Sequence, residues 1–191
     1  MRLAILGGPG AGKSTQAEQL CRYLDIAWIS TGDMLRGAIA TQTELGAQVK
    51  AYVEKGDLVP DEIMIELIRQ RLLQPDVLKG WLLDGYPRTA FQAEELDFLL
   101  DALGQKLDRV IWLEVAEAEL MQRSIERSRL DDQPDAVQRR IELLQARTIP
   151  ILEYYEYRQR VLKIDGNQAP EQVQQELRKM LGDISTDIKN L

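Results

Sequence analysis

The sequence predicts an α/β fold, a five-stranded parallel sheet covered by helices on both faces. Three observations carry that expectation. The apolar run Leu3 to Leu6 ends in a glycine-rich loop that passes directly into a helical pattern. Five short apolar runs alternate along the chain with segments of helical period, as they do when crossover helices join parallel strands. Finally, 191 residues with 45% hydrophobic content suit one core in a single domain with small insertions.

Leu3-Ala4-Ile5-Leu6 is short, apolar and stopped by Gly7, the mark of a buried strand. The next residues, Gly7-Gly8-Pro9-Gly10-Ala11-Gly12-Lys13-Ser14, match G-x-x-x-x-G-K-[ST], so the sheet is of the P-loop NTPase type. Gly7, Gly8, Gly10 and Gly12 let the backbone take positive φ and approach a ligand closely. Consecutive N–H groups from Gly10, Ala11, Gly12, Lys13, Ser14 and Thr15 can then surround phosphate oxygens at the positive end of a helix. Lys13 adds a mobile point charge for the β and γ phosphates. A hydroxyl from Ser14 or Thr15 can serve Mg²⁺ directly or through water. The expected ligand is a nucleoside triphosphate.

Ser14 to Leu24 reads as a helix with Ala17, Leu20, Cys21 and Leu24 on one face. Ala27 to Ser30, Trp81 to Asp84, Arg109 to Val115 and Val161 to Asp165 read as the remaining strands. The clearest further helices are Asp61 to Leu73, Ala90 to Leu103, Ala116 to Arg127, Asp135 to Arg158 and Pro170 to Leu181. No internal repeat, low-complexity tract or interdomain linker interrupts this order, and the polar tail after Gly182 is expected to fray.

Composition narrows the chemistry. One cysteine cannot form an internal disulfide, and Cys21 on an apolar helix face is expected to pack in the core. Without a signal-like start or an apolar stretch near membrane length, a cytoplasmic protein that does not enter membranes is expected. A net charge of −7 and a pI near 4.8 argue against a surface that coats nucleic acid. Any polyphosphate site must therefore gather its positive charge locally. The chain has no histidine, so catalysis must rest on charge placement, carboxylates, lysine or a bound ion.

Further along, Ser30-Thr31-Gly32-Asp33-Met34-Leu35-Arg36 has the hydroxyls and acid of a helix start that carries Arg36 one turn later. Gly56-Asp57-Leu58-Val59-Pro60-Asp61 is a turn into another helix. The run Gly80-Trp81-Leu82-Leu83-Asp84-Gly85-Tyr86-Pro87-Arg88-Thr89 delivers an acid, a flexible glycine, a rigid proline and an arginine to one strand's C-terminal edge. Ligands of open α/β sheets bind at that edge.

Taken together, the P-loop, STGDMLR, GDLVPD, LLDGYPR and Gln92 resemble the adenylate kinase family in order and spacing, and the likeness continues through Arg140 to the last strand. The resemblance implies a core of residues 1–29, 60–125 and 137–191, an AMP-binding insertion at 30–59 and a short mobile lid near 126–136. It implies that the P-loop holds ATP and that Thr31, Arg36, Asp57 to Val59 with Leu58, Gly85, Tyr86, Pro87, Arg88 and Gln92 hold AMP. Gln92 would read the base, because an amide both donates and accepts. Arg36 and Arg88 would clamp the monophosphate, and Asp84 would hold water on Mg²⁺. Arg127 and Gln168 would contact ATP, and Arg129 and Arg140 the phosphates of the AMP side; Arg123, sharing a helix face with Arg127, could also approach them. The implied reaction is reversible transfer from MgATP to AMP giving two ADP, by a monomer.

Two departures from the family stand out. Only Ser128 separates Arg127 from Arg129, where even short-lid forms carry a longer glycine-containing segment. A lid trimmed in this way is expected to close less completely, leaving water better access to the triphosphate. Ser14 also stands where the family commonly has glycine. With Cys21 alone and no histidine, the chain lacks the ligands of the zinc-binding long-lid forms.

Other classes fit less well. A uridylate or cytidylate kinase shares the fold but tends to have Ala in place of Thr31 and Asn in place of Gln92. A regulatory GTPase needs an N-K-x-D motif, and the only asparagines are Asn167 and Asn190. A binding module that has lost catalysis would lack the convergent arginines.

Overall fold

The computed structural model describes residues 1–127, 129 and 132–188, with side chains up to Gly182. Five strands, β1 (Arg2–Gly7), β2 (Ala27–Ser30), β3 (Trp81–Asp84), β4 (Arg109–Glu114) and β5 (Val161–Asp165), form one sheet in the order β2-β3-β1-β4-β5. Every pairing is parallel, and β1 in the centre sets Ile5 beside both Asp84 and Ile111. The C-terminal ends of β1 and β3 are thus neighbours.

Alternation along β1 divides the core. Leu3 and Ile5 face α1 (Lys13–Leu24) and α9 (Pro170–Ile188), packing with Ala17, Leu20, Cys21, Val173 and Leu177. Ala4 and Leu6 face the other way, toward α4 (Asp61–Leu72), α5 (Ala90–Ala102) and α8 (Ile149–Glu156), against Ile68, Leu96, Ile151 and Tyr155. Fully burying each such aliphatic side chain contributes about 1.5–3 kcal/mol. Cys21 is buried as expected, and burial pushes its thiol up to about 12, leaving it an inert packing group. Among the described residues, no helix is long and apolar enough to cross a membrane.

The stretch after β2 holds two helices, α2 (Thr31–Ala40) and α3 (Glu44–Lys55). Ser30 caps α2 by accepting from the Asp33 N–H at 3.3 Å, as its sequence suggests. The second helix was not among those expected. Only Gly46 and Val49 are buried on it, too narrow an apolar stripe to read by period.

The single helix expected from Asp135 to Arg158 needs correction. It divides into α7 (Pro134–Leu143), a π turn at Leu144–Thr148, and α8. Pro150 supplies the reason: lacking an N–H, it cannot continue the ladder of α-helical hydrogen bonds. The remaining helix, α6 (Glu117–Arg127), leads toward α7. Ser128, Leu130 and Asp131 of the expected lid lie outside the described residues, as do residues 189–191 of the polar tail and the side chains beyond Gly182.

Candidate active site

The glycine loop leaves β1 and enters α1 at Lys13, with Gly12 capping the helix in the left-handed conformation at φ 88°. Gly10, at φ 76°, has equal need of its missing side chain: a Cβ there would lie 2.8 Å from the Leu120 carbonyl oxygen and 2.9 Å from Ser124 Oγ. The loop is thus pressed closely onto α6, and its turn requires φ values that glycine reaches without strain.

Lys13 Nζ donates to the Gly8 carbonyl at 2.7 Å, folding the side chain over its own loop. Burial pushes this ammonium down to about 7; Arg88, Arg140 and Arg127 act in the same direction, while Asp84 opposes them. Ser14 Oγ donates to Asp84 Oδ2 at 2.8 Å, joining the start of α1 to the end of β3. Asp84 itself is only 4% exposed. Ala11 is buried, and Thr15 is exposed on α1.

Beside the loop lie two adjoining clefts. Thr31, Arg36, Asp57, Leu58, Val59, Gly85, Arg88, Gln92 and Arg140 all line the larger one. Leu35, Val53 and Met64 add an apolar wall that the motifs did not single out. Lys13, Gly7 and Pro9 line the smaller cleft, and Gly56, Leu58, Gly85, Arg88 and Arg140 line both. Two adjoining clefts therefore share a wall that carries two arginines.

Local contacts hold that wall. Thr31 Oγ1 donates to the Asp84 carbonyl at 3.0 Å, and Arg36 pairs with Asp33 at 2.7 Å. Arg88 Nε donates to the Gly85 carbonyl at 2.8 Å, while the Arg88 carbonyl accepts from Thr148 Oγ1 at 3.0 Å. Thr148 sits on the π turn, the kind of helix irregularity that recurs at functional sites. Tyr86 and Pro87 are buried behind the larger cleft rather than lining it; the Tyr86 hydroxyl donates to the Gln92 carbonyl at 3.3 Å.

Asp132 organises the arginines expected in the lid. Arg127 meets both its oxygens, at 2.9 and 2.6 Å, and Arg140 Nη1 approaches at 3.2 Å. The Arg129 N–H donates to the same carboxylate at 3.0 Å. Burial alone would raise the Asp132 carboxyl, but the Arg127 and Arg129 hydrogen bonds and the charges of Arg127 and Arg140 hold it below the usual carboxylate range. Arg123 turns elsewhere, onto Glu119 at 2.6 Å and the Gly166 carbonyl at 2.9 Å. Gln168, just beyond β5, donates to the Asp165 carbonyl at 3.2 Å and to Glu176 at 3.1 Å. Across the clefts Arg139 of α7 pairs with Asp57 at 2.8 Å.

The five-stranded parallel sheet and the glycine loop at its centre define a P-loop nucleotide-binding protein. The family model described as "Adenylate kinase" matches residues 5–160. Adenylate kinase 2 of Nostoc sp. (strain PCC 7120) is 61% identical over 181 residues, covering 95% of this chain and 98% of that protein. Adenylate kinase 2 of Synechocystis sp. (strain PCC 6803) is 53% identical over 173 residues, covering 91% and 96%. The adenylate kinase of Stenotrophomonas maltophilia (strain K279a) is 47% identical over 170 residues, covering 87% and 91%. The chain belongs to the adenylate kinase family.

Proposed function

We infer that the chain transfers the terminal phosphoryl group of MgATP to AMP, reversibly, giving two ADP. The observation that carries this reading is the shared wall: Arg88 and Arg140 line both clefts, and Lys13 stands at the edge of one. Transfer between two phosphates through a loose transition state needs alignment and charge neutralisation more than a protein base. A chain without histidine can supply both.

In this reading Gly10 to Thr15 hold the ATP phosphates, with Lys13 on the group in flight. Mg²⁺ comes with ATP, and Ser14 Oγ and Asp84 are hard oxygen donors suited to it or its water shell. Thr31, Arg36, Asp57, Leu58, Val59, Gly85, Arg88 and Gln92 hold AMP, Tyr86 and Pro87 supporting them from behind. Arg127, Arg129 and Arg140 bring cations from the lid side, and Gln168 contacts ATP. Residues 30–59 act as the acceptor-binding insertion and residues near 126–136 as the lid. The protein works as a cytoplasmic monomer, a reading supported by the family resemblance.

The test is a coupled assay offering AMP, UMP, CMP and GMP with MgATP. AMP should be strongly preferred; preference for another acceptor would overturn the assignment of Gln92. A two-headed dinucleoside polyphosphate should bind far more tightly than ATP, since one molecule then carries the groups for both nucleotide sites.

A further inference from the structure

Gln92 is 2% exposed, and both ends of its side-chain amide are engaged. Nε2 donates to Asp61 Oδ1 at 2.8 Å, and Oε1 accepts from the Arg88 N–H at 2.8 Å. Asp61 is the first residue of α4, 31 positions away in the chain. A carboxylate only accepts and a backbone N–H only donates. Rotating the amide by half a turn would set oxygen against carboxylate and NH₂ against N–H, two repulsions in a buried place.

Asp61 is itself held. Thr89 Oγ1 donates to it at 3.1 and 3.2 Å from the two carboxylate oxygens. The direction of that hydroxyl is set as well, because its oxygen already accepts the Gln92 N–H at 3.1 Å as the cap of α5. Thr89, Asp61, Gln92 and the Arg88 backbone thus form one directional chain of donors and acceptors. One N–H and one oxygen lone pair of the amide remain, and Gln92 lines the larger cleft.

We propose that Asp61 is a positioning residue that locks the Gln92 amide in one orientation and thereby sets which purine the acceptor cleft takes. The proposal rests on the reading of Gln92 as the base reader. Adenine presents a donor at C6 beside an acceptor at N1; a 6-oxopurine presents the reverse pair. A free amide would turn to suit either, and a locked one suits only the first. Sites whose buried polar partners are fixed in direction discriminate far more strongly than pockets that discriminate by shape.

The experiment compares AMP with IMP, which inverts both positions without adding a substituent at C2. kcat/KM is measured for each acceptor with wild type, Asp61→Asn, Asp61→Glu and Gln92→Ala, with ATP affinity as the check on folding. Asn can offer either a donor or an acceptor, so Asp61→Asn should narrow the AMP:IMP ratio by tenfold or more, losing AMP activity while gaining IMP activity. Asp61→Glu keeps an acceptor-only group and should retain most of the ratio. Asp61→Asn lowering both acceptors in proportion would overturn the lock and leave a structural role. A ratio untouched in Gln92→Ala would overturn the base-reader assignment itself, and the lock with it. If Asp61→Asn failed to fold, the Gln92 side-chain amide signals of the wild type would decide, with the lock requiring a single set in the free protein and two sets overturning it.

Discussion

Arg127 lays its fork across both oxygens of Asp132, a carboxylate whose side chain is fully shielded from solvent. The same acid takes Arg140 and the Arg129 backbone N–H, so one buried charge holds together two guanidinium groups that would otherwise repel each other and fixes the backbone beside a third arginine. Asp132→Asn should scatter them. The expected result is a fall in phosphoryl transfer of about tenfold or more, with a loss of about 1–3 kcal/mol in stability. The lower part of that range is favoured, because Arg127 is 29% exposed and partly screened by solvent. The sign with pH follows from the lowered carboxyl: its contribution is complete above the usual value of about 3.9 and disappears as pH falls below it. Thermal melts of wild type and variant should therefore converge in acid and separate toward neutrality.

Lys13 makes the opposite demand on the fold. Its ammonium is held down to about 7 by burial among arginines, so the unliganded protein bears a cost for the charged form. Lys13→Met should lower transfer by roughly 10²- to 10³-fold or more while raising the melting temperature of the nucleotide-free protein near pH 6. That gain is full below about 7 and fades as pH rises from there toward 10.5, where the unfolded lysine too loses its proton. Near-normal turnover in the variant would refute the site.

Arg88 lines both clefts, tied by its Nε to the turn at Gly85, and in the proposed reading it holds the AMP phosphate. Arg88→Ala should cost AMP both affinity and rate, roughly 10²-fold in kcat/KM, with ATP affinity changed far less. An effect confined to ATP would place this arginine in the donor site.

The short junction between Arg127 and Arg129 bears on water. Phosphate release from MgATP without AMP is expected to be measurable beside the transfer rate, because closure is what keeps water from acting as acceptor. Release indistinguishable from the rate without enzyme would show that a lid of this length suffices.

What could be read from the chain beforehand was local. Gly7 to Ser14 is a contiguous pattern, and each strand announces itself within a few residues. Arg36, Arg88 and Gln92 were legible through the family's spacing, and the structure brings them to one cleft. The contacts that hold those residues were not legible. Asp61 meets Gln92 across 31 positions, Thr148 meets Arg88 across 60 and Arg139 meets Asp57 across 82. Such pairings arise from how elements pack, and neither helical nor strand period carries information about them. The break at Leu144–Thr148 was hidden for another reason. Its residues suit a helix, and only the ring of Pro150 hints that the ladder changes there.

That break has a consequence for chain length. A π turn holds about one residue more than an α turn, so everything after Thr148 lies about 100° behind where an unbroken α-helix of the same residues would carry it. Ile151 and Tyr155 are buried in the core with α8 in that phase, and Thr148 reaches Arg88 with it. A variant shortened by one residue between 144 and 148 would satisfy local helix rules better than the natural chain. Because the turn absorbs one extra residue, that deletion would leave α8 in its present phase with Ile151 and Tyr155 still in the core, and what it would put at stake is the reach of Thr148 to Arg88.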